Sequence, residues 1–489
     1  KLDIRQESSR HSQLISEFLK KKYNKNYLEF SEIEKINFLK SKLNSPKNVI
    51  NKFKFKNREN NEVWSTFNVL AKEPSECLGA YVISMTSSAS DILSVSFLQK
   101  EAKIKNKLRV VPLFETLDDL INAKSIMESL FSHKWYRNLI DHKQEVMIGY
   151  SDSSKDAGKI CASWHQYKAQ EEIVKLGKKF NIEITFFHGR GGSAGRGGGP
   201  IQATMRSLPP NSVNGRIRIT DQGEVIQQKY GYEPLAKYNL CSYIGAVSEA
   251  SLNPPPQPKD SWRALIEKMA EISKSSYRKN INQSSDFIKY FKTVTPHVSL
   301  GKLSIGSRPS KRKNVDNIQS LRAIPWIFAW TQIRLMLPAW LGSAEALRYA
   351  NIKEFRKTLY DMERNWPFFN SMLDILDMVI SKVDPNVSKI YEEYLADEKL
   401  KRVGKRLRFQ FDVIKKLNKE ITPNEISKLR KQFRTSIIVR NIYSEILNII
   451  QPIVIKKIKT IKNKVDKKYL NDALLTSIAG ISAAMKNTG

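Results

Sequence analysis

Between residues 79 and 189, short apolar runs alternate with stretches in which apolar positions recur every three or four residues. Ala80–Met85 (AYVISM), Val110–Phe114 (VVPLF), Glu145–Tyr150 (EVMIGY) and Ile182–His188 (IEITFFH) have the length and composition of buried strands. Helices are predicted between them: one from about Ser88, where SASD supplies a cap, one from about Leu117 to Ser132, and one from about Asp156 to Lys179. This βα rhythm implies parallel strands joined by helical crossovers. Arg216–Lys229 (RIRITDQGEVIQQK) reads as one further strand with an extension. From about Trp262 the pattern is helical, including Arg322–Leu337 and most of the last 150 residues, so the expected class is α/β but predominantly helical.

Breaks in this pattern are few. Pro254–Pro258 (PPPQP) and the basic segment Ser307–Asn317 interrupt it, and the latter suits a mobile loop near a site. The most apolar stretch, Ala323–Gly342, contains Arg334, Pro325 and Pro338, which argues against a membrane span. No repeat of fixed period divides the chain.

With 41% apolar and 10% aromatic residues, the 489-residue chain can bury a large core, and wholesale disorder is excluded. Lys and Arg outnumber Asp and Glu by 82 to 49, a formal charge of +33, which raises a nucleic acid as a partner. Lys exceeds Arg more than twofold, however, and is spread through helices and loops without interleaved aromatics. Together with abundant Asn and Ile, this reads as compositional drift on a solvated surface, and nucleic acid is disfavoured. Cys77, Cys161 and Cys241 are too few and too scattered for a disulfide framework or a zinc knuckle, so a reducing, cytoplasmic setting fits best. The N-terminus carries no signal-like apolar run and starts at Lys1, which suits a chain that begins in mid-protein.

Candidate chemistry gathers at the ends of the predicted strands. Glu115 follows VVPLF, Asp152 and Lys155 follow EVMIGY, and His188 and Arg190 follow IEITFF. In a parallel sheet or barrel all of these are carboxyl ends, which share one face. Glu115 and Asp152 suit a hard divalent cation, although either could instead cap the helix that follows. Lys155 could bind an anion or simply begin a helix, and His188 could be a core histidine or contact an anion. The segment 189–200, GRGGSAGRGGGP, combines glycines that let backbone N–H groups approach an anion with the forks of Arg190 and Arg196. Gly189, Gly191 and Ala194 also satisfy a dinucleotide spacing, but the acidic residue about 20 positions on is missing. No phosphate-binding G-x-x-x-x-G-K-[ST] occurs.

At these segments the sequence closely resembles the phosphoenolpyruvate carboxylase family. The matching stretches are DIRQESSRH from Asp3, YVISMTSSASD from Tyr81, VPLFETLDDL from Val111, VMIGYSDSSKDAG from Val146, FHGRGGSAGRGGGP from Phe187, GSRPSKR from Gly306, SLRAIPWIFAWTQ from Ser320, RNIY from Arg440 and the terminal MKNTG. The resemblance implies an elaborated (β/α)8 barrel, TIM-like, with many additional helices, here incomplete. It implies barrel and active-site loops in residues 1–340, and a helical region with inhibitor-site residues in 341–489. It also implies conversion of phosphoenolpyruvate and bicarbonate to oxaloacetate and phosphate with Mg²⁺ or Mn²⁺, in a homotetramer. Carried over, it makes Glu115 and Asp152 metal ligands and gives the substrate phosphate to Arg5, Arg190 and Arg322, with Arg308 close by. Lys155, His188 and Arg196 would line the bicarbonate or CO₂ side, with Leu113 and Met147 forming an apolar CO₂ pocket. Lys382, Arg440 and Asn487, sharing Arg196 with the active site, would bind aspartate or malate as inhibitor.

One departure bears on activity. The family's N-terminal half, with a catalytic histidine in a T-A-H-P-T context, has no counterpart here, so a fragment, a split subunit or a decayed gene product is expected to be inactive alone. The alternative reading is a decayed barrel acting as a basic nucleic-acid- or anion-binding protein.

Overall fold

The structure, a computed structural model, describes residues 1–50, 53–189, 201–221, 223–282, 285–300, 323–422 and 428–485. The chain divides into two compact units, neither of them continuous in sequence. The first comprises Lys1–Gly149, His165–Gly189 and Asn211–Ile219; the second comprises Tyr150–Trp164, Arg190–Pro210 and Thr220–Gly489.

The first unit is built on six parallel strands that neighbour one another in chain order: β1 (Leu2–Glu7), β2 (Leu78–Ser84), β3 (Arg109–Phe114), β4 (Lys143–Gly149), β5 (Glu183–Gly189) and β6 (Arg218–Ile219). Such an order requires a crossover after every strand, as the sequence rhythm predicts. Helix α1 (Ser8–Tyr23) follows β1, α2 (Ala89–Glu101) follows β2 and α3 (Leu117–Phe131) follows β3. Alternate positions Ala80, Val82, Val111, Leu113, Met147 and Phe187 form one apolar cluster on a single face.

Strands in a sheet lie about 4.8 Å apart, so in a flat sheet of six the first and last would stand roughly 24 Å from each other. Here the Arg218 guanidinium on β6 pairs directly with the Asp3 carboxylate on β1, so the sheet curls until its outer strands meet through side chains. Arg218 also reaches Glu145 on β4 at 2.8 Å and lies over the Phe187 ring, 4.2 Å from its centroid. Glu145 is shared with Arg109 at 2.9 Å. Burial alone would raise the pKa of Asp3, but Arg218 and the Ala80 N–H, 2.8 Å away, reverse this and hold the carboxyl below its ordinary value. On the opposite face of β2, the fully buried His11 of α1 meets the Tyr81 hydroxyl at 2.9 Å, and Phe67 stacks on Tyr81.

The second unit is helical throughout its described length. Helix α4 (Ser151–Ala157) ends at Gly158, whose φ of +78° and Tyr277 neighbour suit a residue without a Cβ; α5 (Lys159–Phe180) follows, and from His165 on it belongs to the first unit. Further on come α6 (Asp260–Asn282), α7 (Ala323–Gln332), α8 (Pro367–Ile380), α9 (Pro385–Leu395), α10 (Glu398–Ile421), α11 (Lys428–Thr460) and α12 (Lys464–Met485). Glu392 of α9 is buried against Arg408 of α10 and accepts from the Tyr290 hydroxyl at 2.8 Å.

Helix α11 turns polar residues inward. Its Asn448 donates to the Gln332 carbonyl at 2.8 Å, and Gln451 Nε2 donates to Gln332 Oε1 at 3.1 Å and to Ser477 Oγ at 2.9 Å. Tyr391 donates to Gln451 Oε1 at 2.8 Å, and Gln332 donates to Ser482 Oγ at 3.0 Å. The network is buried and neutral, and joins α7, α9, α11 and α12. Among described residues of α11, the apolar side chains Ile438, Ile442 and Ile446 are exposed instead.

The structure extends and corrects several expectations. β1 lacks an apolar run, because it is an edge strand with no buried residue and carries the charged Asp3 and Arg5, and no strand is predicted there from the sequence. Arg216–Lys229 yields a two-residue strand followed by the helix Gly223–Tyr230. The helix expected over Asp156–Lys179 is split at Gly158, and that expected over Arg322–Leu337 stops at Gln332, where Arg334 and Met336 take positive φ. Among described residues no helix is long and apolar enough to cross a membrane.

Candidate active site

Helix α3 leaves Glu115 available for another task. Its cap is Thr116, whose hydroxyl accepts from the Asp119 N–H at 3.2 Å, while Asp119 accepts from the Thr116 and Glu115 N–H groups at 3.0 and 3.2 Å. The Glu115 carboxylate, 1% exposed, instead accepts from Arg5 Nη2 at 3.3 Å and from the Met85 N–H at 3.1 Å. Met85 adopts a φ of +57°, which costs a non-glycine residue energy. That turn directs its N–H to Glu115 and its carbonyl to the Ser8 hydroxyl, 2.8 Å away. Gly149 makes room for this arrangement, since a Cβ there would lie 2.6 Å from Glu115 Cβ.

The first unit holds three of the predicted site features, and it does not bring all of them together. Arg5 and Glu115, 110 positions apart, form an ion pair. Leu113 and Met147 are register partners on β3 and β4, and Met147 in turn faces Phe187 on β5, within the apolar cluster. His188 is 1% exposed on β5 and pairs in register with Ile148 and Ile219. By strand alternation it lies on the face opposite Phe187, beside Phe186 with ring centroids 6.2 Å apart.

In the second unit Asp152 lies in the first turn of α4, where the N-cap is Tyr150, so Asp152 is not the capping residue. Lys155, three positions on, shares its helix face. The helix is fixed from below: the Tyr277 hydroxyl donates to the Lys155 carbonyl at 2.8 Å, and Arg278 pairs with Asp156 at 2.9 Å.

Neither Glu115 nor Asp152 is a capping residue, and carboxylate oxygens are the donors that Mg²⁺ and Mn²⁺ favour. Among described residues no group of three or more His, Cys, Asp or Glu could hold a metal.

The two described inhibitor candidates meet at one helix end. Lys382, 2% exposed, donates from Nζ to the Met485 carbonyl at 2.8 Å, and Arg440 Nη1 donates to the Ala484 carbonyl at 2.6 Å, both at the C-terminus of α12. Cations suit that end of a helix. Burial pushes the Arg440 guanidinium below its ordinary pKa. Arg190, Arg196, Arg308, Arg322 and Asn487, with the segment Ser307–Asn317, lie outside the described residues. The sequence reads Arg334 only as an argument against a membrane span; the structure buries this lone guanidinium of the most apolar stretch.

Comparison with known proteins follows the same lines. The family model for phosphoenolpyruvate carboxylase matches residues 1–489. The chain is 46% identical over 490 residues to the phosphoenolpyruvate carboxylase of Shewanella sediminis, 45% to that of Shewanella halifaxensis and 44% to that of a Marinomonas species. Each match covers 100% of this chain and 56% of the relative, so the chain spans about half the length of these curated relatives.

Proposed function

The chain belongs to the phosphoenolpyruvate carboxylase family, and from that premise we propose that it supplies the carboxyl-terminal part of an enzyme forming oxaloacetate and phosphate from phosphoenolpyruvate and bicarbonate. The observation that carries the reading is the Arg5–Glu115 pair: a guanidinium fork beside a carboxylate that caps no helix, at the carboxyl end of a parallel sheet.

In this reading Arg5, with Arg190 and Arg322 and with Arg308 nearby, holds the phosphate of phosphoenolpyruvate in a fixed orientation. Bicarbonate oxygen attacks phosphorus, the bond to the enol oxygen breaks, and carboxyphosphate and the enolate of pyruvate result. The arginines meet the charge spread over the transferring phosphoryl group. Glu115 and Asp152 would hold Mg²⁺ or Mn²⁺, which when bound supplies Lewis-acid stabilisation of the enolate oxygen. Carboxyphosphate then releases CO₂ and phosphate, and the enolate carbon captures the CO₂. Leu113 and Met147 offer CO₂ an apolar wall that excludes water, which matters because a protonated enolate is lost as pyruvate. Lys155 and Arg196 orient bicarbonate, and His188 supports the end of β5 from its buried position.

The (β/α)8 barrel, the homotetramer and the cytoplasmic setting belong to the same proposal. So does inhibition by aspartate or malate at Lys382, Arg440, Asn487 and Arg196. The curl of the sheet supports the barrel, and the meeting of Lys382 and Arg440 at one helix end supports the inhibitor site. Turnover is proposed to need the part of the relatives that this chain does not span.

The test is oxaloacetate formation, coupled to malate dehydrogenase, with the chain joined to that remaining part. Glu115→Gln is expected to reduce turnover at least a hundredfold and to weaken Mn²⁺ binding measured by electron paramagnetic resonance. Full activity and unchanged Mn²⁺ binding in Glu115→Gln would overturn the assignment.

A further inference from the structure

Arg334 lies within the helical unit, 1% exposed, in the turn after α7. Its backbone takes a φ of +57°, a left-handed conformation that a residue with a side chain keeps only when its surroundings hold it there. Two elements do so. Toward the turn between α8 and α9, Arg334 Nε donates to the Lys382 carbonyl at 2.9 Å, and the Arg334 carbonyl accepts from the Asp384 N–H at 2.9 Å. Toward α11, Nη1 donates to Ser444 Oγ at 3.3 Å and Nη2 to Asn441 Oδ1 at 3.1 Å.

The acceptors of this guanidinium are a carbonyl, a hydroxyl and an amide. The carboxylates of Asp384 and Glu445 act on it only through space, and a buried cation so held contributes little to stability compared with an apolar side chain of the same size. Its location is more telling. One arm grips the residue whose ammonium reaches the α12 terminus, and the other grips α11 one and four positions beyond Arg440. Arg334 therefore ties together the two segments that bring Lys382 and Arg440 to the same helix end.

We propose that Arg334 is a positioning residue for the inhibitor site, fixing the separation of Lys382 from Arg440 and thereby selecting a dicarboxylate of four carbons. The inference rests on the reading of Lys382 and Arg440 as inhibitor ligands. With that separation fixed, the spacing between the two ligand carboxylates has to match it. Aspartate and malate share one spacing, and glutamate is longer by a methylene. Loosening one arm of the tie lets the two cations drift, which weakens binding and blurs that distinction.

The four proposed ligands all lie in this chain, so binding can be read without turnover. L-aspartate, L-malate and L-glutamate are titrated calorimetrically into the 489-residue chain. The expected result is that Arg334→Met, a shorter unbranched side chain without donors, weakens aspartate about tenfold and narrows its preference over glutamate. Arg334→Lys, which keeps the charge and loses the fork, is expected to recover little of either. A role confined to stability would lower the melting temperature and leave the aspartate-to-glutamate ratio unchanged, and that outcome overturns the proposal. If Arg334→Met does not fold, the double variant Asn441→Ala/Ser444→Ala severs only the α11 arm; unchanged affinity and ratio there also overturn it. Failure of the unaltered chain to bind aspartate or malate removes the inhibitor reading itself, whereas binding that the variants leave untouched removes only the role of Arg334.

Discussion

Acidification from pH 7 to pH 5 is expected to cost the sheet unit about 2 kcal/mol through His11 alone. Burial, with a smaller contribution from the Arg10 charge, lowers the His11 pKa from 6.5 to about 3. In the folded chain the imidazole therefore stays neutral down to about pH 3, while the unfolded chain takes up a proton below about pH 6.5. The folded pKa is the depressed one, so the contribution is fully present above pH 6.5 and declines as the pH falls. The decline is roughly 1.4 kcal/mol per pH unit across the window between the two values, and pH 5 lies one and a half units into it. His11→Phe keeps a ring against Phe67 and Tyr81 but leaves the Tyr81 hydroxyl without its present partner, which lowers stability at pH 7 by about 1 kcal/mol. It also removes the titrating group. Urea unfolding of both proteins at pH 7, 6 and 5, followed by fluorescence, gives the pH slope of each. Equal losses between pH 7 and pH 5 in the two proteins would refute the linkage.

Other substitutions probe geometry. Gly149→Ala places a methyl group against Glu115 and is expected to lower kcat of the joined enzyme by about a hundredfold, the scale of an ångström-level misplacement, with CD spectra unchanged. Gly404→Ala drives a Cβ into the Glu392 carboxylate and breaks the buried pair with Arg408; a loss of about 3–5 kcal/mol is expected from urea titration. Arg218→Leu leaves Asp3 and Glu145 without their shared cation, and a loss of about 2–3 kcal/mol is expected at pH 7, discounted for partial exposure. That deficit should shrink below pH 4, because the depressed Asp3 carboxyl stabilises the fold only while ionised.

Legibility followed burial. β2 to β5 are recognisable because helices and sheet cover both their faces, which leaves apolar runs with polar residues just past their ends. β1 escapes because it is an edge strand with no buried residue, and its Asp3 and Arg5 each sit in an ion pair. That Glu115 caps no helix could not be read from spacing, because Thr116 takes the cap and only the three-dimensional arrangement reveals it. Lys382 and Arg440 carry no shared local signal, since 58 positions and two intervening helices separate them before they meet at α12. The break at Gln332 is hidden because Arg334 and Met336 are ordinary helix formers by propensity, and tertiary contacts override that preference.

The neutral network of Gln332, Tyr391, Asn448, Gln451, Ser477 and Ser482 has an evolutionary corollary. Replacing any single member strands a buried donor or acceptor on another helix, so these positions can exchange only in compensating sets. Random mutation can repaint the outside of this molecule with lysine and asparagine one codon at a time, but here it meets a combination lock whose tumblers sit on four different helices.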